Sequence, residues 1–207
     1  MRSAPPPRGG PVTEALQAAD DFFMGKSKVH RAAEALFARL REEKIDFALA
    51  GALALNVHGV RRMTEDVDIL ITTEGLQQFK ERWLGKGYVE IRRGARSVRD
   101  TETRVKIDFL LTGQFPGDSR PKPIQFPDPK DRVEWIEGTP VLALSSLIEL
   151  KLASGMTAKD RPRDLDDVIR LIRARSLPQA FADQLNSFVR SKFLELWEAA
   201  QLPPDGY

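Results

Sequence analysis

Two short apolar runs that carry acidic residues in their interiors limit what this chain can become more than any other feature. Glu65–Ile71 reads EDVDILI, and Arg104–Leu111 reads RVKIDFLL. Both are rich in β-branched and aromatic residues, so both are predicted strands. Strand side chains alternate between faces, so Asp66 and Asp68 point one way while Val67, Ile69 and Ile71 point the other. Asp108 is embedded among Ile107, Phe109, Leu110 and Leu111, and an acidic group in such surroundings needs a partner. The fold must therefore bring a cation or hydrogen-bond donors to these carboxylates.

Composition narrows the kind of cation. The chain has no cysteine and only two histidines, His30 and His58. Disulfide scaffolds, thiolate zinc sites and cysteine nucleophiles are excluded, and a histidine cluster is not expected. A metal would be held mainly by oxygen, which favours magnesium or manganese. Two carboxylates about 5 Å apart repel by about 3 kcal/mol at an effective dielectric near 20, and a divalent cation between them reverses that sign. If the Asp108 strand neighbours the Asp66–Asp68 strand, three carboxylates meet and can hold two magnesium ions. Paired metals of this kind clamp the attacking and leaving oxygens of phosphoryl or nucleotidyl transfer. The competing readings are a solvent-facing Asp-x-Asp and an Asp108 paired with Lys106 or an arginine.

Charged residues make up 30% of the chain, yet its formal net charge is only +2. That balance argues against a histone-like polyanion coat and leaves room for a local basic groove. Arg92, Arg93, Arg96, Arg99 and Arg104 crowd the segment before Asp108. They line either an acceptor groove for RNA or another negatively charged substrate, or a solvated face. No stretch approaches a membrane span, and the start lacks the apolar core of a signal peptide, so a cytoplasmic protein is expected.

With 42% hydrophobic residues the chain can bury one good core. Residues 1–12, with four prolines and two glycines, read as a flexible tail. Residues 13–144 read as an α/β core, and 145–207 as a helical C-terminal part. Helices are predicted over Thr13–Phe23, from Ser27 to Glu43, over Ala52–His58 and from Thr73 to Leu84. Strands are predicted over Asp46–Ala50, Glu65–Ile71 and Tyr88–Ile91, with a hairpin of Arg96–Asp100 and Arg104–Leu111. Thr112–Lys130 is Pro-rich and reads as a loop, either a flap over a site or ordinary surface. Val133–Ile136 and Val141–Leu144 read as short strands. Helices follow from Ser145, over Asp164–Ala174, and as one or two elements across Pro178–Ala200. The fold class is α+β, a mixed sheet flanked by helices.

Residues 47–71, FALAGALALNVHGVRRMTEDVDILI, resemble the nucleotidyltransferase superfamily, which includes DNA polymerase β and the tRNA CCA-adding enzymes. The family pattern is a hydrophobic residue, Gly, then Gly or Ser, followed about a dozen residues later by Asp-x-Asp, with a third carboxylate on a later strand. Leu49–Ala52 supplies the first part, thirteen residues separate Ala52 from Asp66, and Asp108 fits the third carboxylate. The chain is most similar to the minimal bacterial group around the AbiEii and MenT toxins. The residues that carry this likeness are His58-Gly59, Arg62-Met63-Thr64-Glu65-Asp66-Val67-Asp68, the Lys151 segment LIELKLA, and RPRDLDD at 161–167. It covers roughly residues 45–172.

The resemblance implies a nucleotidyltransferase-like fold in which Asp66 and Asp68 bind the metals. Asp108 would ligate one metal and help deprotonate the acceptor hydroxyl. Gly51 would let the backbone approach the phosphates, and Lys151 would neutralise the β- and γ-phosphates. Asp164 would have a site role, with helix N-capping as its alternative. Arg62 would touch phosphate or pair with an acidic neighbour. Thr64 reads as a strand-entry residue, and His58 as a helix C-terminal residue. One departure stands out: Ala52 occupies the place where active members carry a serine for the triphosphate, which leaves backbone N–H groups for that task.

The implied activity is metal-dependent transfer of a nucleoside monophosphate from an NTP to a hydroxyl. The acceptor would be a tRNA end or other RNA, a protein, or a small molecule such as an aminoglycoside. A non-catalytic nucleotide-binding protein acting through a partner, antitoxin-like or regulatory, is the alternative, motivated by Ala52. A metal-dependent phosphodiesterase or nuclease is the third reading. The toxin likeness also implies an antitoxin protein as a partner.

Overall fold

The computed structural model of the protein describes residues 11–203. It opens with two helices, α1 (Pro11–Phe23) and α2 (Lys28–Glu42). Of the expected tail, residues 1–10 lie outside the described residues, while Pro11 and Val12 already belong to α1. Ser27 caps α2 by accepting from the His30 N–H, and Val29, Ala32, Ala33, Leu36, Phe37 and Leu40 form its buried stripe.

The central portion runs β1 (Phe47–Leu49), α3 (Gly51–Val57), β2 (Asp66–Ile71), α4 (Thr73–Trp83), β3 (Tyr88–Glu90), β4 (Ser97–Asp100) and β5 (Lys106–Leu111). After the Pro-rich loop come β6 (Val133–Ile136) and β7 (Thr139–Leu142). The chain then becomes helical, with α5 (Leu144–Thr157), α6 (Pro162–Ala174), a 3-10 helix at Gln179–Gln184 and α7 (Ser187–Gln201). The expected α+β class with a mixed sheet is what forms.

Seven strands make one sheet in the order β3-β4-β5-β2-β1-β7-β6. β2 lies between antiparallel β1 and parallel β5, and β7 runs parallel to β1. The face opposite Asp66, Asp68 and Asp108 is dry: Val67, Ile69, Ile107 and Phe109 are fully buried there. Helices α2 and α4 cover it, with Phe37 stacked on Phe47 at 5.2 Å and Phe79 against Phe109 at 5.4 Å between ring centroids. One apolar cluster runs from this layer through Leu147, Ile148 and Leu152 of α5 to Val168 of α6 and Phe193 of α7.

Several boundaries differ from the sequence expectation for local reasons. The second hairpin arm starts at Lys106, not Arg104, because Arg104 adopts a left-handed backbone (φ 64°) in the turn. Asp100 fastens that turn by accepting from the N–H groups of Glu102 and Thr103. The last strand is Thr139–Leu142, since Leu144 already begins α5; the cap is Ala143, which has no side-chain bond to offer, and not Ser145. Helix α6 begins at Pro162 with Arg161 as its cap, so Asp164 lies inside the first turn and is not the N-cap.

Candidate active site

The three aspartates meet through strand register. In the parallel pair β2–β5, Asp68 stands directly opposite Asp108 and Asp66 opposite Lys106. Neighbouring strands lie about 4.8 Å apart, so this register puts the carboxylates of Asp68 and Asp108 side by side. β4 continues the rows, with Ser97 opposite Asp108 and Arg99 opposite Lys106. One end of the sheet face is thus a patch of acids and bases, backed by an apolar face.

Like charge and burial set the electrostatics of that patch. Burial is the largest cause that pushes the Asp68 carboxyl up to about 7, and the charges of Asp66 and Asp108 push it further in the same direction. Its neighbours have found local partners. Asp66 accepts from the Thr64 hydroxyl, and Asp108 accepts from the Ser97 hydroxyl and pairs with Lys106 at 2.6 Å. Of the two partners expected for Asp108, Lys106 is in place, and that pair is partly open to solvent. Among the described residues no three acidic or imidazole side chains are already drawn into metal-holding geometry. The donor set still fits a hard divalent cation: three carboxylates on one face, one of them held in an environment that disfavours its charge.

Gly51 locks onto this patch. It has φ 59°, and a Cβ placed there would come within 1.8 Å of Asp68 Oδ2. The Ala50 N–H donates to the Asp68 carbonyl at 3.0 Å, which fixes the chain as it leaves β1 for α3. Only glycine allows both the backbone angle and the contact. Ala52 is buried in the first turn of α3, so its methyl group packs and presents no hydroxyl.

Across the groove stands a second group of charges. Lys151, on α5, is 8% exposed and donates to Asp164 at 2.9 Å and Asp167 at 2.7 Å. Arg62 pairs with the same Asp167 oxygen as Lys151. Of the two roles open to Arg62, an acidic partner is thus in place, although the side chain still lines the groove. His58 is buried and bonded to the Leu142 carbonyl at 2.9 Å, which makes it a structural link between α3 and β7.

Between the two groups runs an open groove of about 380 Å³, within the usual size of ligand sites. Gly51, Ala52, Arg62, Asp66, Asp68, Asp108, Lys151 and Asp164 all line it, so every sequence-derived site residue reaches one space. The Pro-rich loop supplies the wall at Phe115–Gly117 and Phe126. A second hollow of about 510 Å³ adjoins the carboxylates on the hairpin side, lined by Arg92, Arg96, Lys106 and Arg161.

A family model for the nucleotidyl transferase AbiEii toxin of type IV toxin–antitoxin systems matches residues 34–199. The chain belongs to the AbiEii nucleotidyltransferase family. No curated protein sequence matches it. In shape this AbiEii-family chain is similar to the antibiotic-resistance factor ANT(2'')-Ia, with a TM-score of 0.51 and 14% identity over 81% of this chain and 94% of that one. It is also similar to TM1012 from Thermotoga maritima (0.46, 21% identity, 66% and 92% covered) and to JHP933 from Helicobacter pylori (0.44, 18%, 81% and 88%). At such identities the ANT(2'')-Ia likeness bears on the fold alone.

Sequence reasoning passed over Asp167 and Arg161 as individual site residues. Asp167 is 1% exposed and holds both cations, and Arg161 lines both hollows. A signal for Asp167 was present. It sits one turn before Leu171 on the buried stripe of α6 that also contains Val168 and Ile172, and a lone acid on an apolar stripe needs a cationic partner.

Proposed function

We propose that this AbiEii-family chain transfers a nucleoside monophosphate from an NTP to a hydroxyl of an RNA acceptor, with a tRNA end as the leading candidate. The observation that carries the reading is the β2–β5 register, which sets Asp68 against Asp108 with Gly51 pressed onto the same carboxylate. Asp66, Asp68 and Asp108 would hold magnesium or manganese. Bound there, one or two such cations would offset the carboxylate repulsion and stabilise charge that develops on the phosphate oxygens. Lys151 and Arg62 face the β- and γ-phosphates, and Gly51–Ala52 lets the backbone approach them. Asp164 steadies Lys151 from the groove side.

In the transfer, an acceptor oxygen bonds to the α-phosphorus, the bond to the bridging oxygen breaks, and pyrophosphate leaves. Asp108 would take the acceptor proton, a role supported by its lining both the hairpin-side hollow and the groove. That hollow presents Arg92, Arg96, Lys106 and Arg161. Four cations suit a phosphate-bearing acceptor and repel a polyamine such as an aminoglycoside.

The test is incubation with each labelled NTP, magnesium and total RNA, followed by separation of RNA from small molecules. Label in an RNA band that Asp66→Asn abolishes is the expected result. Label confined to a small molecule defeats the RNA assignment, and no label with any NTP defeats the transferase reading. A second reading, nucleotide binding without transfer and action through an antitoxin-like partner, is favoured by Ala52 and by the Lys106–Asp108 ion pair. It requires that a folded Asp66→Asn variant keep its cellular effect.

A further inference from the structure

We propose that Asp167 is a positioning residue that binds Lys151 and Arg62 into one clamp for the leaving phosphates of the nucleotide, an inference that rests on the proposed nucleotidyl transfer. Asp167 is buried and is absent from the groove lining, so it does not meet the substrate itself. Its Oδ2 atom accepts from both the Lys151 ammonium and the Arg62 guanidinium. These cations arrive from unrelated parts of the chain, one on α5 and one in the segment leading into β2. Two nitrogens that share one oxygen lie within roughly 6 Å of each other, twice a hydrogen-bond length. Without the carboxylate between them, two like charges at that spacing would separate.

The arrangement leaves one Lys151 N–H over for a ligand. An ammonium has three N–H groups, and Asp164 and Asp167 use two of those on Lys151. The Arg62 guanidinium gives Nη1 to Asp167, while among the described residues its Nε is buried without a partner. Asp167 Oδ1 is likewise buried and unpartnered among those residues. A fully buried carboxylate with one idle oxygen is costly to keep, and a purely structural tie between α5 and α6 would not need two cations that both line the groove. Asp167 sits behind the two cations, which line the groove together with Asp164.

Asp167→Asn preserves shape and removes the charge. The variant and the wild type, each checked for an unchanged near-ultraviolet spectrum, are titrated with an NTP, the matching NDP and the matching NMP in magnesium. Loss of charge-assisted contacts on this scale predicts that NTP affinity falls about tenfold or more, while NMP affinity changes less than about twofold. An equal loss for all three ligands would make Asp167 merely structural, and unchanged NTP affinity would also overturn the inference. If the wild type binds no NTP, the transferase reading goes and the clamp with it. If the wild type binds and the variant is indifferent, only the clamp goes. Should Asp167→Asn not fold, Arg62→Gln and Lys151→Gln are combined in a double-mutant cycle. The shared carboxylate predicts that their losses of NTP affinity are clearly non-additive, and additive losses overturn the clamp.

Discussion

The two sides of the groove handle charge in opposite ways. On the α5–α6 side, Lys151 and Arg62 are matched by Asp164 and Asp167, and the four groups hold one another in place. On the β2–β5 side, Asp66, Asp68 and Asp108 share one patch, and the deepest of them is pushed toward its neutral form. One side pairs its charges within the fold, while the other gathers three carboxylates whose repulsion a bound cation would offset. Under the proposed transfer, the first side would offer phosphate a preset surface and the second would need a cation before its carboxylates settle.

The largest effect should come from removing the carboxylate that suffers most. Asp68→Asn is expected to lower nucleotidyl transfer by on the order of a thousandfold, the scale of losing a principal electrostatic element. The same change should raise the melting temperature of the metal-free protein near neutral pH, because it deletes a penalised charge. A drop in both activity and melting temperature would mean that the acidic side is not strained.

Next in size is Gly51→Ala. The added carbon meets Asp68 Oδ2 and the backbone is left-handed, so a destabilisation of about 1–3 kcal/mol is expected, together with weaker magnesium binding. Denaturant melts with and without magnesium check both parts, and a variant of wild-type stability would show that the turn can yield.

A smaller signature lies in pH. The folded Asp68 carboxyl titrates near 7, above its unfolded value of about 3.9. Between those values the folded state binds more protons than the unfolded state, so stability falls as pH rises and levels off above about 7. Thermal melts across this window should show that decline without metal, a shallower one with magnesium, and none from this group in Asp68→Asn. A rise in stability over the same range would reverse the assignment.

Least is expected from Lys106→Gln. The Lys106–Asp108 pair is partly exposed, so its loss should cost under about 1 kcal/mol. Its removal frees Asp108, and the magnesium requirement should fall by a few-fold. If magnesium affinity weakens, Lys106 assists the acidic side and does not compete with metal there.

The acidic side was far more legible in the sequence than the cationic side. Asp66, Asp68 and Asp108 stand in apolar strands, where period two fixes which way they point, and the Gly51 spacing places the turn beside them. Their meeting still depended on β5 lying next to β2 in register, a pairing of distant segments that local patterns do not encode. On the cationic side, 161–167 offers five charged residues among seven, and helical spacing alone leaves open which of them turns inward. Asp164 and Asp167 are one turn apart and both reach Lys151, while Asp166 pairs outward with Arg170. Arg62 was expected to touch phosphate or pair with an acidic neighbour, and that neighbour, Asp167, comes from the distant helix α6.

The Pro-rich segment has a fixed corner. Lys122 donates to the Pro116 carbonyl, to Asp118 and to the Thr157 hydroxyl, and a Cβ at Gly117 would strike Thr157 and Ser154 of α5. The same helix carries Lys151 two turns earlier. A tilt of that helix would therefore carry the Phe115–Gly117 wall and the Lys151 ammonium together, coupling the width of the mouth to the position of that charge.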